Sequence, residues 1–90
     1  MQVAIITGAG SGIGLATARM LHGMGMAIVG VGRDPAKLKT LEEALADPAR
    51  LLTLSVDITG KDAPGLVVDR TLERFGRIDF LNNAGIGSRS

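Results

Sequence analysis

Glycine recurs at every second position in the stretch TGAGSGIG, which runs from Thr7 to Gly14. An apolar run precedes this stretch and a helical pattern follows it, so it is predicted to be a turn between a strand and a helix. In such a turn the free backbone N–H groups and the positive end of the helix dipole point at one spot, which suits a pyrophosphate. Glycine is needed there because a side chain would block the approach of phosphate oxygens, and because a tight turn can demand positive φ.

The spacing of these glycines separates several kinds of phosphate-binding loop. The common dinucleotide pattern G-x-G-x-x-G is not met, because Ile13 and Leu15 stand where a third glycine would fall. A Walker A loop is excluded because no Gly-Lys-Ser/Thr follows at the right offset. Ser11, inside the turn, could bond a phosphate or could be an ordinary helix-entry residue. The residues that fit T-G-x-x-x-G-x-G are Thr7, Gly8, Gly12 and Gly14.

Polar residues also follow two later apolar runs. Asp57 comes directly after the third run, and Asn82 and Asn83 come directly after the fourth. Ligands of open parallel sheets bind at the carboxyl ends of the strands, so these side chains are expected near the glycine turn. Asp57 could also cap its own loop, and the asparagine amides could serve only the backbone of the sheet.

Three motifs together resemble the short-chain dehydrogenase/reductase family: TGAGSGIG at 7–14, VDIT at 56–59 and LNNAG at 81–85. Their order and spacing also match that family, and the resemblance covers all 90 residues. It implies an NAD(P)-dependent oxidoreductase that transfers a hydride between a nicotinamide cofactor and an alcohol or carbonyl substrate. The cofactor-binding residues predicted on this basis are Thr7, Gly8, Ser11, Gly12, Ile13, Gly14, Asp57, Ile58, Asn83, Ala84 and Gly85.

The resemblance also implies separate roles within this set. The glycine turn would cradle the pyrophosphate, Asp57 would accept a hydrogen bond from the adenine amino group, and Ile58 would pack on the ring. Asn83 would lie beside the adenine ribose, with the small residues after it letting the chain pass close. Asn82 is expected to be mainly structural.

The choice of cofactor depends on the end of the second strand. A site specific for NAD usually places a carboxylate on the last strand residue, where it would repel a 2′-phosphate. Gly32 occupies that position, and Arg33 follows it, able to pair a phosphate and to stack on adenine. Asp34 is expected to cap the next helix. These residues predict a preference for NADP over NAD, although Arg33 could be an ordinary surface arginine.

No catalytic residue can be assigned in this sequence. The family that it resembles uses a Ser and a Tyr-x-x-x-Lys pair, whereas this sequence contains no tyrosine, and Ser88 and Ser90 follow NNAG too soon. We therefore expect residues 1–90 to be the N-terminal part of a single NAD(P)-binding domain, without the catalytic part. His22, the only histidine, is predicted to be solvated. Two other functions stay open: a non-catalytic dinucleotide-binding or scaffold module, and a methyltransferase that binds S-adenosylmethionine.

The elements that must position these residues are also predicted by the pattern. Short apolar runs at 3–6, 27–31, 51–56 and 78–81 indicate four buried strands, and helical patterns lie between them. The order is βαβαβαβ, and right-handed crossovers would place the strands in the order 3-2-1-4. This is an α/β fold with a Rossmann-like, doubly wound parallel sheet that is incomplete.

Each predicted helix carries an apolar stripe that is expected to face the sheet. Asp34 and Pro35 indicate the start of the second helix, and Gly76 indicates the end of the third. The stripes consist of Ile13, Ala16, Thr17, Met20, Leu21 and Met24 in the first helix, Leu38, Leu41 and Leu45 in the second, and Val68, Leu72 and Phe75 in the third.

Composition limits the partners. Hydrophobic residues make up 46% of the chain and charged residues 21%, which is typical of a folded domain rather than a disordered chain. A net charge of +1 without a basic run argues against nucleic acid and membrane surfaces. The absence of cysteine excludes disulfides and fits a cytoplasmic protein. The expected partners are the dinucleotide, an alcohol or carbonyl substrate in a complete chain, and further copies of the full-length protein.

Overall fold

The computed structural model describes residues 1–10 and 12–82, which form a four-stranded parallel sheet with helices on both faces. In chain order the elements are β1 (Val3–Thr7), α1 (Gly12–Gly23), β2 (Ala27–Gly32), α2 (Pro35–Leu45), a 3₁₀ turn (Pro48–Arg50), β3 (Leu51–Ser55), α3 (Ala63–Phe75) and β4 (Phe80–Asn82). The strands lie in the order β3-β2-β1-β4. The predicted fold class, element order and strand order are therefore confirmed.

Side chains of the two central strands alternate between two buried layers, as the pleat of a strand requires. Because both faces are covered, these strands have the continuous apolar sequences of a buried parallel sheet. The layer shared with α1 and α2 contains Ala4, Ile6, Ala9, Ala18, Met26, Ile28 and Leu41. The layer shared with α3 contains Val3, Ile5, Ala27, Val29, Val31 and Val67.

The second helix begins where the sequence predicts. The Asp34 side chain accepts a hydrogen bond from the Ala36 N–H at 2.9 Å, and Pro35 is the first helical residue. The helix packs directly on β2, since a Cβ on Gly30 would collide with the side chain of Leu41. This close contact fixes the start of α2 beside the end of β2.

The apolar stripe predicted for α1 is partly wrong: Leu21 packs against the core, but most of the stripe does not. Ile13 and Met20 are 76% and 60% exposed, whereas Gly14 and Ala18 are buried. The buried side is displaced by one residue, which is about 100° around a helix of 3.6 residues per turn. The cause is a close approach: a Cβ on Gly14 would lie 2.6 Å from the carbonyl carbon of Gly8. Only the side of α1 that carries small residues can make that contact.

The stripe predicted for α3 is displaced at two of its three positions, while Phe75 packs against the core as predicted. Val68 and Leu72 are 41% and 45% exposed, while Val67 and Thr71 are buried and face the sheet. Thr71 can be buried because its hydroxyl donates a 2.7 Å hydrogen bond to the Val67 carbonyl. The helix ends as predicted at Gly76, whose φ is 80°.

The histidine is not solvated, contrary to the prediction. His22 Nε2 lies 2.9 Å from Asp47 Oδ2, and its side chain is only 16% exposed. Arg50 Nε donates to the same oxygen at 2.9 Å, and Arg50 Nη1 donates to the carbonyls of His22 and Met26. These contacts form a polar cluster, His22–Asp47–Arg50, that joins the end of α1 to the segment before β3.

The fourth strand is shorter and more exposed than predicted. It begins at Phe80 rather than at residue 78, and Phe80 and Leu81 are 50% and 63% exposed. Asp79 anchors its start, because its carboxylate accepts the Val3 N–H at 2.8 Å and two hydrogen bonds from Arg77. Within residues 1–10 and 12–82, no helix combines the length and apolar character that crossing a membrane would need.

Candidate functional site

The glycine turn joins β1 to α1 at the carboxyl edge of the sheet. Gly8 and Gly12 have φ of 66° and 58°, which residues other than glycine rarely adopt. The Gly8 N–H donates to the Val31 carbonyl at 2.8 Å, so the turn is attached to β2. The described part of α1 has no acidic residue in its first turn, so its N-terminal dipole faces this edge without a nearby carboxylate on the same helix. The turn therefore has the geometry of an anion-binding loop.

Two adjoining cavities open at this edge. The strand-end cleft, of about 250 Å³, lies between the ends of β1, β2 and β3. The glycine-turn cavity, of about 310 Å³, lies between the glycine turn and the first turn of α2. Gly8, Gly32 and Arg33 line both cavities. A ligand with two lobes could thus occupy both cavities while contacting the same strand ends.

Asp57 contributes an ionised carboxylate to the strand-end cleft. Its Oδ1 accepts hydrogen bonds from the Thr59 hydroxyl at 2.6 Å and from the Thr59 N–H at 3.0 Å. These bonds, and to a lesser extent the charge of Arg33, hold the pKa of Asp57 below its usual value. The other oxygen, Oδ2, lies 3.8 Å from Arg33 Nη1. The loop-capping role weighed from the sequence is therefore present, and Asp57 also lines the strand-end cleft beside Arg33.

Arg33 and Gly32 define the charge at the end of β2. The Arg33 side chain is 76% exposed, so its guanidinium can reorient toward a ligand. A Cβ on Gly32 would lie 3.7 Å from Leu38 Cδ2, an ordinary contact distance, and the φ of Gly32 is not positive. A larger residue would therefore fit at position 32. Glycine is not sterically required there, and its effect is to leave the last residue of β2 without a carboxylate.

The other predicted residues lie in three kinds of position. Thr7 is buried at the end of β1, and its hydroxyl donates to the Asn82 carbonyl at 3.4 Å. Ile13 is exposed in the first turn of α1. Ile58 is half-buried and lines the strand-end cleft. The predicted residues that lie outside the described ones are Ser11, Asn83, Ala84 and Gly85.

Three residues of this edge were missed by sequence reasoning. Thr59 is signalled by its position two residues after Asp57, where a side-chain-capped turn places its partner. Gly10 packs on the backbone of α2, since a Cβ there would lie 2.5 Å from the Lys37 Cβ and carbonyl oxygen. Lys37 lines the glycine-turn cavity. No local pattern indicates Lys37, because its position depends on how α2 packs against the turn.

Known proteins match this chain in sequence and in structure. The family model described as short chain dehydrogenase matches residues 2–90. An uncharacterized oxidoreductase of Staphylococcus saprophyticus is 39% identical over 88 residues, which are 94% of this chain and 38% of that protein. Levodione reductase of Leifsonia aquatica is 43% identical over 91 residues, covering 94% of this chain and 33% of that protein.

The fold is shared with solved structures as well. A metagenomic short-chain oxidoreductase solved in complex with NADP superposes with a TM-score of 0.80 at 34% identity. The match covers 89% of this chain and 37% of that one. The chain thus spans between 33% and 38% of the length of these relatives.

Proposed function

The chain belongs to the short chain dehydrogenase family, and from that membership we propose that residues 1–90 are the N-terminal part of a dinucleotide-binding domain that prefers NADP(H) to NAD(H). The observation that carries the preference is the end of β2, where Gly32 and Arg33 stand in place of a carboxylate. When bound, the nicotinamide cofactor supplies the hydride acceptor or donor for an alcohol or carbonyl substrate.

The residues present fit such a cofactor. The glycines at 8 and 12 have positive φ, and Gly14 lies too close to Gly8 for any side chain, so these three positions present no side chain to an approaching diphosphate. The strand-end cleft is lined by Ile58, an apolar surface, and by Asp57, whose carboxylate is an acceptor; an adenine ring with its amino group would use these two features.

The proposal for these 90 residues is binding and orientation rather than catalysis. The sequence contains no tyrosine, so the tyrosine-dependent proton transfer implied by the family resemblance is not assigned to them. Oxidation or reduction of a small alcohol or carbonyl compound is proposed for the whole protein. We expect the 90-residue chain to bind dinucleotide and to show no turnover.

Calorimetric titration of the chain with NADPH and with NADH, which measures the affinity for each coenzyme, tests this proposal. NADPH should bind more tightly, because the Arg33 guanidinium can pair the 2′-phosphate. Arg33→Asp should weaken NADPH binding by about tenfold or more and leave NADH binding less affected.

Arg19→Asp is the matched control, since Arg19 is an exposed arginine on α1 that lines neither cavity. It makes the same change in net charge and should preserve the preference. An unchanged ratio of NADPH to NADH affinity in Arg33→Asp would contradict the NADP preference. Absence of binding to both coenzymes by the folded chain would contradict the proposed function itself.

A further inference from the structure

A groove of about 430 Å³ lies near the amino end of β3, where the end of α2, the following turn and the strand meet. The residues that line this β3-edge groove are Glu42, Ala46, Asp47, Pro48, Leu51 and Thr53. None of them lines the strand-end cleft or the glycine-turn cavity. The groove therefore lies outside the proposed cofactor site.

The outer edge of β3 offers backbone groups to another strand. β3 is the outermost strand of the sheet and pairs on one side with β2. The Val56 N–H donates to the Gly32 carbonyl at 2.9 Å, and backbone groups alternate between the two edges along a strand. The N–H and C=O groups of Leu51, Thr53 and Ser55 therefore point away from β2, and no strand of the described residues lies beside them.

This edge lacks the features that usually prevent an edge strand from pairing. Native edges are commonly protected by charged side chains, proline or bulges. β3 has the sequence LLTLS, without charge, proline or glycine, and all five residues pair in register with β2. A regular, uncharged edge of this kind is suited to the addition of an extended peptide as a further strand.

The charges around the groove favour a basic partner. Glu42 Oε2 accepts the Thr53 hydroxyl at 2.7 Å, and Glu42 pairs with no cation of the described residues. The last turn of α2 contains no basic residue, so its C-terminal dipole adds negative potential at this end. Asp47 is already paired with His22 and Arg50. Glu42 is therefore the carboxylate of the groove that is left for a ligand.

The same charges argue against a second copy of this chain as the occupant. Two β3 strands paired antiparallel about Thr53, their middle residue, would bring the two Glu42 side chains together on one face of the joined sheet. Like charges across an interface suppress association. Arg74 lies at this end of the sheet, but it donates to the carbonyls of Pro48 and Ala49 and is engaged within its own chain.

We propose that the outer edge of β3 and the β3-edge groove bind an extended basic peptide of a partner protein, which adds to the sheet as a further strand. Its backbone would pair with the outward groups of Leu51, Thr53 and Ser55. A lysine or arginine side chain on the α2 face would lie in the groove beside Glu42. This inference does not depend on the proposed function, because the groove shares no residue with the two cavities.

Fluorescence anisotropy with a labelled peptide tests the preference for a basic partner. The probe is a peptide of alternating valine and lysine, and its control has glutamate in place of lysine. The 90-residue chain should bind the lysine peptide at least about fivefold more tightly. Glu42→Gln keeps an oxygen for the Thr53 hydroxyl and should weaken this binding by about two- to fivefold. Glu43→Gln makes the same charge change on α2 outside the groove and should weaken it by less than about 1.5-fold.

Methylation of the peptide backbone tests strand addition without altering the protein. The N–H groups of alternate residues point to opposite edges of a strand, so methyl groups on the valine amides block one edge and methyl groups on the lysine amides block the other. One of the two methylated peptides should lose binding by about tenfold or more, and the other should lose much less. Amide hydrogen exchange at Leu51, Thr53 and Ser55 should slow when the unmethylated lysine peptide binds.

Several results would overturn this inference. If the folded chain does not bind the lysine peptide, or binds the glutamate peptide equally well, the groove does not select a basic partner. Equal effects of Glu42→Gln and Glu43→Gln would lead to the same conclusion. Equal binding of the two methylated peptides would show that the peptide does not pair along β3. Slow exchange at the three outward amides without peptide, in a chain that sediments as a dimer, would assign the edge to a second copy instead.

Discussion

Single residues at the carboxyl edge of the sheet determine both how the neighbouring helices pack and which charges line the cavities. Gly14 allows α1 to touch the carbonyl of Gly8, and this contact sets the rotation of the whole helix. Gly32 acts differently, because its position has room for a side chain and its role is the absence of charge. Asp57 combines two features, since one carboxylate oxygen accepts both hydrogen bonds from Thr59 and the residue also lines the strand-end cleft. A glycine in this chain therefore cannot be interpreted from its type alone.

Gly14→Ala should destabilise the chain and displace the glycine turn. The added methyl would meet backbone atoms of Gly8, which cannot rotate away as a side chain can. We expect the free energy of unfolding in urea to fall by about 1–3 kcal/mol, as in other overpacked sites.

Gly23→Ala is the matched control on the same helix, because a Cβ there has no atom within 4 Å. It should be neutral or should stabilise the chain by about 0.4–1 kcal/mol through the unfolded state. Equal effects of the two substitutions would show that the contact between α1 and the turn does not determine the packing.

Secondary-structure elements are held in place by polar groups at their ends as well as by the core. The His22–Asp47–Arg50 cluster joins the end of α1 to the 3₁₀ turn that leads into β3, and Arg50 also donates to the His22 carbonyl, which has no partner within the helix. Asp79 attaches the start of β4 to β1, because its carboxylate accepts a hydrogen bond from the Val3 N–H. Because these contacts lie opposite the carboxyl edge, they support the site without lining it.

Asp47→Asn should lower stability at neutral pH and lose its effect in acid. The hydrogen bond from His22 is the largest cause that holds the pKa of Asp47 below its usual value near 3.8. The hydrogen bond from Arg50 and the positive charge of Arg50 lower this pKa further. A carboxyl whose pKa is lowered by folding stabilises the folded state above its usual pKa range, and this stabilisation is lost as the pH falls through the lowered pKa.

Thermal unfolding between pH 7 and pH 3 measures this effect. Tm of Asp47→Asn should be a few degrees below wild type at pH 7, and the gap should narrow below about pH 4. Asp69→Asn is the control, because Asp69 is an exposed carboxylate on α3 with no ion pair in the described part of the chain. A pH-independent gap for Asp47→Asn would contradict the ionic role of the cluster.

At the scale of the whole molecule, one face of the sheet is incompletely covered by the residues that the structure describes, 1–10 and 12–82. An apolar groove of about 300 Å³ lies between α3 and the end of β4, lined by Pro64, Val67, Ile78 and Leu81 among others. Val68 and Leu72 extend the apolar surface along α3. Exposed apolar surface beside an edge strand favours association between chains. We therefore expect the 90-residue chain to be marginally stable and to self-associate.

The double substitution Val68→Glu with Leu72→Lys should reduce this association severalfold. The two positions are one helical turn apart, so the new charges can pair, and both side chains are already exposed by about two-fifths. Sedimentation at micromolar concentration would measure the change. Ala16→Glu with Met20→Lys places the same pair on the exposed side of α1 and should have a smaller effect. A wild-type monomer with a sharp cooperative melt would contradict the prediction.

The sequence alone determined the order of elements, the parallel sheet and its strand order, because strand and helix periods and the handedness of crossovers are local properties of the chain. It also determined the Asp34 cap and the Gly76 stop, which depend on neighbouring residues. Only the tertiary structure decided which sides of α1 and α3 are buried, the pairing of His22 with Asp47, and the approach of Lys37 to the glycine turn. The pairing of His22 and the approach of Lys37 depend on elements far apart in sequence, whereas the rotation of α1 depends on how closely the helix approaches the turn before it. An apolar pattern shows that a helix is buried on one side, but the closest contact, here between Gly14 and Gly8, sets its rotation.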